Sequence, residues 1–311
     1  MQYMILIDIV LLMLGFVLLV KGSDFFVDGA VDFAAKLGIP QLVIGLTIVA
    51  MGTSIPEAAV SITAAFEGSA GITIGNILGS NILNTFIILG LSAVIIPLSV
   101  AKSTIIYEIP FMIVCSVVLL FLGLDKTISI IDGCIFWGCF IIYLTYLMIC
   151  AKKNKEKNAD HETMKGWKQL VYIIGGIIAI VFGSKLAVYG ATEVARLIGM
   201  SERFIGLTIV ALGTSLPELF TSVIAAKKGN ADIAIGNIVG SNIFNILFVI
   251  GTSALVTVVP FDPKFIFDAL IVILSGIILF VSVFPYKKLN RMCGMIMLVC
   301  YLFYFGYLCM T

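Results

Sequence analysis

Two glutamates stand where a carboxylate is costly to keep. Glu57 and Glu218 each close a long apolar run: residues 44–57 read IGLTIVAMGTSIPE and residues 205–218 read IGLTIVALGTSLPE. A charged side chain at the centre of a membrane helix costs about 2.5 to 3.5 kcal/mol on insertion scales, so an acid retained there is a functional residue by default. No Lys or Arg lies near these glutamates in the apolar runs 40–65, 70–97, 200–226 and 230–258, and the one histidine, His161, belongs to a hydrophilic loop. The missing counter-charge is best supplied by a cation.

The neighbouring residues suit that role. Thr53 and Glu57 are spaced i, i+4, which on a continuous helix puts hydroxyl and carboxylate on one face, with Ser54 beside them. Thr214, Ser215 and Glu218 repeat the arrangement. Pro56 and Pro217 donate no backbone hydrogen bond and disfavour a regular helix one turn back, so carbonyls around Gly52 and Thr53 should be freed. Further along, Ser80 with Asn84, and Ser241 with Asn245, turn a hydroxyl and an amide to one side at the same i, i+4 spacing. Carboxylates, hydroxyls, amides and carbonyls make a hard oxygen set that suits Ca²⁺ or Na⁺ and offers no thiolate or imidazole to zinc or copper.

Other polar residues carry blander readings. For a single Ser, Thr or Asn in a membrane helix, packing or local hydrogen bonding is the commoner role, so Asn76, Asn81, Asn237 and Asn242 are either further ligands or interhelical glue. Gly75 and Gly79, like Gly236 and Gly240, form small-xxx-small patterns that should bring their helices against those of the glutamates. Asp8, Asp24, Asp28, Asp32, Glu108, Asp132 and Asp268 fall near the ends of apolar runs or on amphipathic extensions and read as solvated or interfacial charges. The seven cysteines are odd in number and show no CxxC spacing, so they read as small buried hydrophobes without redox or metal roles.

The elements that must position these residues are membrane helices. Of 311 residues, 61% are hydrophobic and 12% charged, with a mean hydropathy of +1.17, against about 25% charged in a soluble domain. Ten apolar spans are expected, near 4–22, 40–65, 70–97, 103–124, 127–150, 169–187, 200–226, 230–258, 264–284 and 291–309. The first and sixth should continue as amphipathic helices to about Leu37 and Ile198. The apolar start, residues 1–20, lacks a basic n-region and a cleavage site and reads as a retained first span rather than a signal peptide. A net charge of +1 recommends no nucleic acid as partner. No Ser/His or zinc-ligand motif suggests an enzyme.

One hydrophilic stretch, residues 151–169 with six lysines, divides the spans into five (1–150) and five (170–311). Basic residues gather in cytoplasmic loops, so this loop, together with Lys102, Lys227, Lys228, Lys287, Lys288 and Arg291, should face the cytoplasm and both termini the outside. The two glutamate motifs match at 12 of 14 positions at an offset of 161, and IGNILGSNILN (74–84) matches IGNIVGSNIFN (235–245) at the same offset without a gap. Gly22, Gly29 and Gly38 also align with Gly183, Gly190 and Gly199. An odd number of spans per half reverses the second half, giving an all-α membrane protein of ten transmembrane helices in two inverted-topology five-helix repeats. Such repeats place a substrate site near the bilayer midplane and allow states open to either side, which points to transport.

At these motifs the sequence resembles the Ca²⁺/cation antiporter superfamily, specifically its prokaryotic sodium/calcium exchanger branch, over both halves. The resemblance implies that Glu57 and Glu218 bind Ca²⁺ and Na⁺ alternately, with ligands from Thr53, Ser54, Ser80, Asn84, Thr214, Ser215, Ser241 and Asn245 and from the carbonyls of Ala50 and Ala211. It implies that the first and sixth helices slide across the rest of the bundle, with three Na⁺ exchanged per Ca²⁺. In the potassium-dependent branch an aspartate matches Asn245, so the amide here leans against K⁺ use. No cofactor is implied. The expected partners are the two ions and the lipid bilayer, around a monomer. Ca²⁺/H⁺ exchange on the same fold and a cation channel are the alternatives.

Overall fold

The computed structural model describes residues 2–68, 70–153, 164–197 and 211–310. With no water in a lipid core to satisfy backbone groups, apolar runs of this length close their hydrogen bonds internally as helices. The chain runs α1 (Gln2–Leu37), α2 (Gln41–Thr53), α3 (Ile55–Phe66), α4 (Gly71–Ile95), α5 (Thr104–Asp125), α6 (Ile130–Lys153), α7 (Gly166–Leu197), α8 (Ala211–Thr214), α9 (Leu216–Lys227), α10 (Ala231–Val256), α11 (Phe265–Val283) and α12 (Arg291–Met310). Glycines in the left-handed conformation stop several of these helices: Gly38 after α1, and Gly68 and Gly229 at repeat-related places after α3 and α9. Eight helices are long and apolar enough to cross a membrane, and α2 with α3, bent by 51°, makes a ninth span among the described residues. The expected span at 200–226 begins outside the described residues, which also leave out His161, Ile198, Gly199 and residues 205–210 of the second motif; its described part is α8 and α9.

α1 and α7 form an antiparallel pair held by glycine. A Cβ on Gly15 would meet the Ala187 nitrogen at 2.5 Å, one on Gly22 would meet Ala179 Cβ at 2.9 Å, and one on Gly190 would meet the Asp8 carbonyl at 2.5 Å. Gly15, Gly22 and Gly29 recur every seventh residue, as do Gly176, Gly183 and Gly190, so each helix lays a bare stripe against the other's backbone. Both run past the length of a simple span, to Leu37 and Leu197, as the sequence pattern leads one to expect.

The most enclosed spans are α4 and α10, the repeat-related helices that carry the Ser and Asn pairs. Each contains a wide π-helical stretch at the matching place, Leu83–Leu89 and Asn245–Ile250, where local widening is often functional. Short strands join the halves. β1 (Leu98–Ser99) pairs antiparallel with β4 (Lys288–Leu289), and β2 (Thr127–Ile128) pairs with β3 (Val259–Pro260). At an offset of 161, β1 corresponds to β3 and β2 to β4, so each pair joins a loop of one half to a loop of the other.

Some bland readings of acids and cysteines need correction. Glu108 is buried and bonded by the Tyr146 hydroxyl, because α5 packs its acid inward against α6 rather than toward the interface. Asp8 is also buried. Asp268 accepts from the Tyr304 hydroxyl at 2.8 Å. Cys115 is buried as expected, whereas Cys134 and Cys309 are exposed on the apolar exterior; all seven cysteines are free.

Replacing Gly190 with alanine should force α1 and α7 apart and lower stability by about 1 to 3 kcal/mol, the usual cost of overpacking. Gly175→Ala, on the same helix with nothing within 4 Å, should leave it unchanged or raise it. Thermal unfolding of the two purified variants in detergent checks the contrast, and an unaffected Gly190→Ala protein would show that the pair has slack.

Candidate functional site

A broken helix builds each half of the site. α2 ends at Thr53, Ser54 leaves helical geometry (φ −82°, ψ 9°), and α3 starts at Ile55; Ser215 (φ −90°, ψ 3°) separates α8 from α9 in the same way. Pro56 and Pro217 occupy the second position of the new helix, where a missing N–H is not needed. Glu57 and Glu218 follow in its first turn, where the partial positive charge of the helix start favours a carboxylate. The carbonyl that Pro217 leaves free, on Gly213, accepts the Ser184 hydroxyl at 2.6 Å.

The break changes one expectation from spacing. Thr53 and Glu57 belong to different helix segments, so they do not share a continuous face. Thr53 instead donates to Asn237 Oδ1 at 3.0 Å and lies 3.3 Å from the Ala50 carbonyl. The hydroxyls serve the carboxylate of the opposite half. Ser54 Oγ donates to Glu218 Oε1 at 2.8 Å, with Thr53 and Ser241 also facing that carboxylate. Ser215 Oγ donates to Glu57 Oε1 at 3.4 Å, with Thr214 also facing it. Both glutamates are fully buried. Among the described residues the ion pairs join Arg196 to Glu193 and Lys228 to Asp24 and Asp28, and none reaches Glu57 or Glu218.

Amides brace the second wall. Asn84 Nδ2 donates to Asn242 Oδ1, and Asn245 Nδ2 donates to Asn81 Oδ1, both at 3.1 Å, a two-fold pattern between α4 and α10. Asn81 donates in turn to the Asn242 carbonyl at 3.2 Å, and Asn242 to Thr85 Oγ1 at 3.0 Å. Asn76 and Asn237 each clamp a glutamate helix through Ser61 and Ser222, both at 2.9 Å, and through the Glu57 and Glu218 carbonyls at 3.4 Å. The interhelical glue reading therefore holds for Asn76, Asn81, Asn237 and Asn242. Gly236 and Gly240 let α10 approach α2 at Leu42, Leu46 and Ala50, whereas Gly75 faces Phe265.

Among the described residues, four buried oxygens of the motif residues are left without a hydrogen-bond partner: Glu57 Oε2, Glu218 Oε2, Asn84 Oδ1 and Asn245 Oδ1. They are two repeat-related pairs. Leaving a buried acceptor unpaired costs about 1 to 3 kcal/mol, more for a charged one, so oxygens left in this way suit a ligand that brings positive charge to oxygen. Among the other residues singled out by sequence, Ser80 is buried on α4, Ser241 donates to the Ala50 carbonyl at 3.3 Å, and Ala211 opens α8. Sequence reading missed Thr85, whose repeat mate is Ile246 and gives no signal, and Ser184, whose repeat mate Ser23 could have drawn notice.

A cavity of ≈ 780 Å³ reaches Pro56, Gly213 and Thr214 from one side, between α3 and α7. On the repeat-related side, between α1 and α9, the chain is packed: Ser23 and Thr221 hydroxyls lie 3.4 Å apart and the Phe16 and Phe220 rings 6.0 Å apart. The two sides of the site are thus unequal.

Comparison with known proteins agrees with this architecture. The family model described as sodium/calcium exchanger protein matches residues 7–149 and 168–310, once in each half. The chain is 36% identical over 312 residues to the putative antiporter CaxA of Alkalimonas amylolytica, covering 96% of this chain and 98% of that one. It is 32% identical over 340 residues to the sodium/calcium exchanger MaX1 of Methanosarcina acetivorans, covering 96% and 97%. A solved structure of the sodium-calcium exchanger NCX_Mj, soaked with Na⁺ and Sr²⁺, superposes with a TM-score of 0.86 at 32% identity, covering 97% and 99% of the two chains.

The amide brace makes a definite demand on residue 245. In Asn245→Asp an oxygen would face Asn81 Oδ1, and turning the Asn81 amide would sacrifice its bond to the Asn242 carbonyl. Without a cation this variant should lose about 1 to 3 kcal/mol, and saturating Ca²⁺ should recover most of the loss. Thermal unfolding with and without Ca²⁺ measures both; equal stability in the cation-free state would show that the brace does not read residue 245.

Proposed function

The chain belongs to the sodium/calcium exchanger protein family, and from that membership we propose that it exchanges Ca²⁺ for Na⁺ by alternating access at a site near the bilayer midplane. The observation that carries the reading is the set of four unpartnered buried oxygens on Glu57, Glu218, Asn84 and Asn245, with no basic residue paired to the glutamates among the described residues. With both carboxylates ionised the site holds a charge of about −2, which one Ca²⁺ or several Na⁺ cancel; competition for the same oxygens couples the two fluxes. Crossing empty would leave those charges uncompensated in a low-dielectric layer, which suppresses uncoupled return. Ser54, Ser215, Thr53, Thr214, Ser80, Ser241 and the Ala50 and Ala211 carbonyls complete the proposed ligand set.

Ten spans in two inverted five-helix repeats fit this reading. Antiparallel contact between the repeat mates α1 and α7 supports the inversion. The strand pairs support the count: β1 with β4, and β2 with β3, put loops on a common face, which needs an even number of crossings between them, and the number is even when 200–226 is one crossing. The lysine-rich loops then face the cytoplasm of a prokaryotic cell, both chain ends face outward, and the cavity beside Pro56 opens outward. No cofactor takes part.

Uptake of ⁴⁵Ca²⁺ into Na⁺-loaded proteoliposomes tests the exchange. Uptake should require the outward Na⁺ gradient and be abolished in Glu57→Gln and Glu218→Gln chains that still fold. Uptake driven by a pH gradient without Na⁺ would mean proton coupling, and uptake without any counter-ion would mean a channel. With three Na⁺ per Ca²⁺ one net charge moves, so a clamped potential should change the driving force by about 2.3 kcal/mol per 100 mV.

A further inference from the structure

The repeat is broken in charge at one set of positions, and the break faces the cavity. At the offset of 161, Asp24 on α1 corresponds to Lys185 on α7, and Lys228, just past α9, corresponds to Glu67, just past α3. On the packed side Lys228 Nζ lies 2.6 Å from Asp24 Oδ1 and 2.7 Å from Asp28 Oδ1, and donates to the Asp24 carbonyl at 3.0 Å. That bridge fastens α9 to α1 where Ser23 meets Thr221. On the other side Glu67 and Lys185 both line the ≈ 780 Å³ cavity, and among the described residues neither is ion-paired. Arg196, the other cation of that lining, is bonded to Glu193 on its own helix.

We infer that Glu67 and Lys185 are the counterpart of Lys228 and Asp24 with signs exchanged: positioning residues that pair when the cavity closes, fastening α7 to α3 as Lys228 fastens α1 to α9. The inference rests on the two-sided exchange proposed above. The sign exchange has a physical cause, because basic residues gather at cytoplasmic ends, so the α9 end carries the lysine and the α3 end the acid. A partly exposed ion pair is weak and does not drive closure. Between two states of similar free energy, however, a contact made in only one of them biases the balance in a known direction. Each pair belongs to one state, so removing either should tilt the balance oppositely.

The test reads direction in the full-length protein. Val60 lines the cavity, and in a Val60→Cys chain in nanodiscs the labelling of that position by a charged maleimide, followed by mass spectrometry, reports its opening. Lys228→Gln should slow labelling about twofold to fivefold, the range expected of a partly exposed pair. Glu67→Gln and Lys185→Gln should not slow it, and in proteoliposomes each should lower the KM for Ca²⁺ on the cavity side and the maximal uptake rate by a similar factor. Glu67→Lys with Lys185→Glu in one chain should restore both values, while either reversal alone should not. A doubly reversed chain no better than the single reversals, or unchanged uptake in both glutamine variants, overturns the pairing. A wild-type chain that moves no Ca²⁺ while its variants still shift labelling overturns the exchange and leaves the pairing standing.

Discussion

Two carboxylates enclosed in an apolar bundle, with no basic partner among the described residues, constrain almost everything near them. Each is tolerated because the start of a new helix points at it and because hydroxyls of the opposite half donate to it, Ser54 to Glu218 and Ser215 to Glu57. That arrangement needs a helix break at Ser54 and at Ser215, and the break needs proline where its missing N–H does no harm. In the amide brace between α4 and α10, Asn84 and Asn245 turn their nitrogens to each other's neighbours and keep their oxygens free of hydrogen bonds among the described residues. What stays unpaired is all oxygen.

Duplication explains why the site is shared rather than split. Both glutamates, the serines bonded to them and the bracing asparagines have mates in the other half, and the bonds cross between halves: the serine of one half holds the glutamate of the other, and the asparagine of one braces the other. A half alone would leave its carboxylate without its hydroxyls. The two sides also differ, in packing at the cavity beside Pro56 and the closed contact between α1 and α9, and in charge where Lys185 stands for Asp24 and Glu67 for Lys228.

The membrane character, the repeat and the two glutamates were legible in the sequence, because an apolar run around an acid and a gapless duplication are both local patterns. The positions of the helices agree with the apolar runs, including the long extensions of α1 and α7. Pairing across halves was not legible. Spacing placed Thr53 with Glu57, yet the turn at Ser54 sends the threonine to Asn237, a contact 184 residues away that no periodicity reports. Glu108 misled for a similar reason: its nearness to a span end suggested water, and only the packing of α5 on α6 reveals the tyrosine that receives it. Gly22, Gly29, Gly183 and Gly190 were legible only as positions that align in the repeat; that they form packing stripes with Gly15 and Gly176 emerged from the contact of two backbones.

The two small strand pairs carry a mechanical consequence. One ties the loop between α4 and α5 to the loop between α11 and α12, and the other ties the loop between α5 and α6 to the loop after α10, so the halves are stapled together at both faces of the bundle. A rocking of one half against the other would tear both staples, whereas α1 and α7, joined along their glycines, contribute no strand to either. The strand pairs thus staple the rest of the bundle at both ends, while α1 and α7 lie outside the staples and meet each other along their glycines.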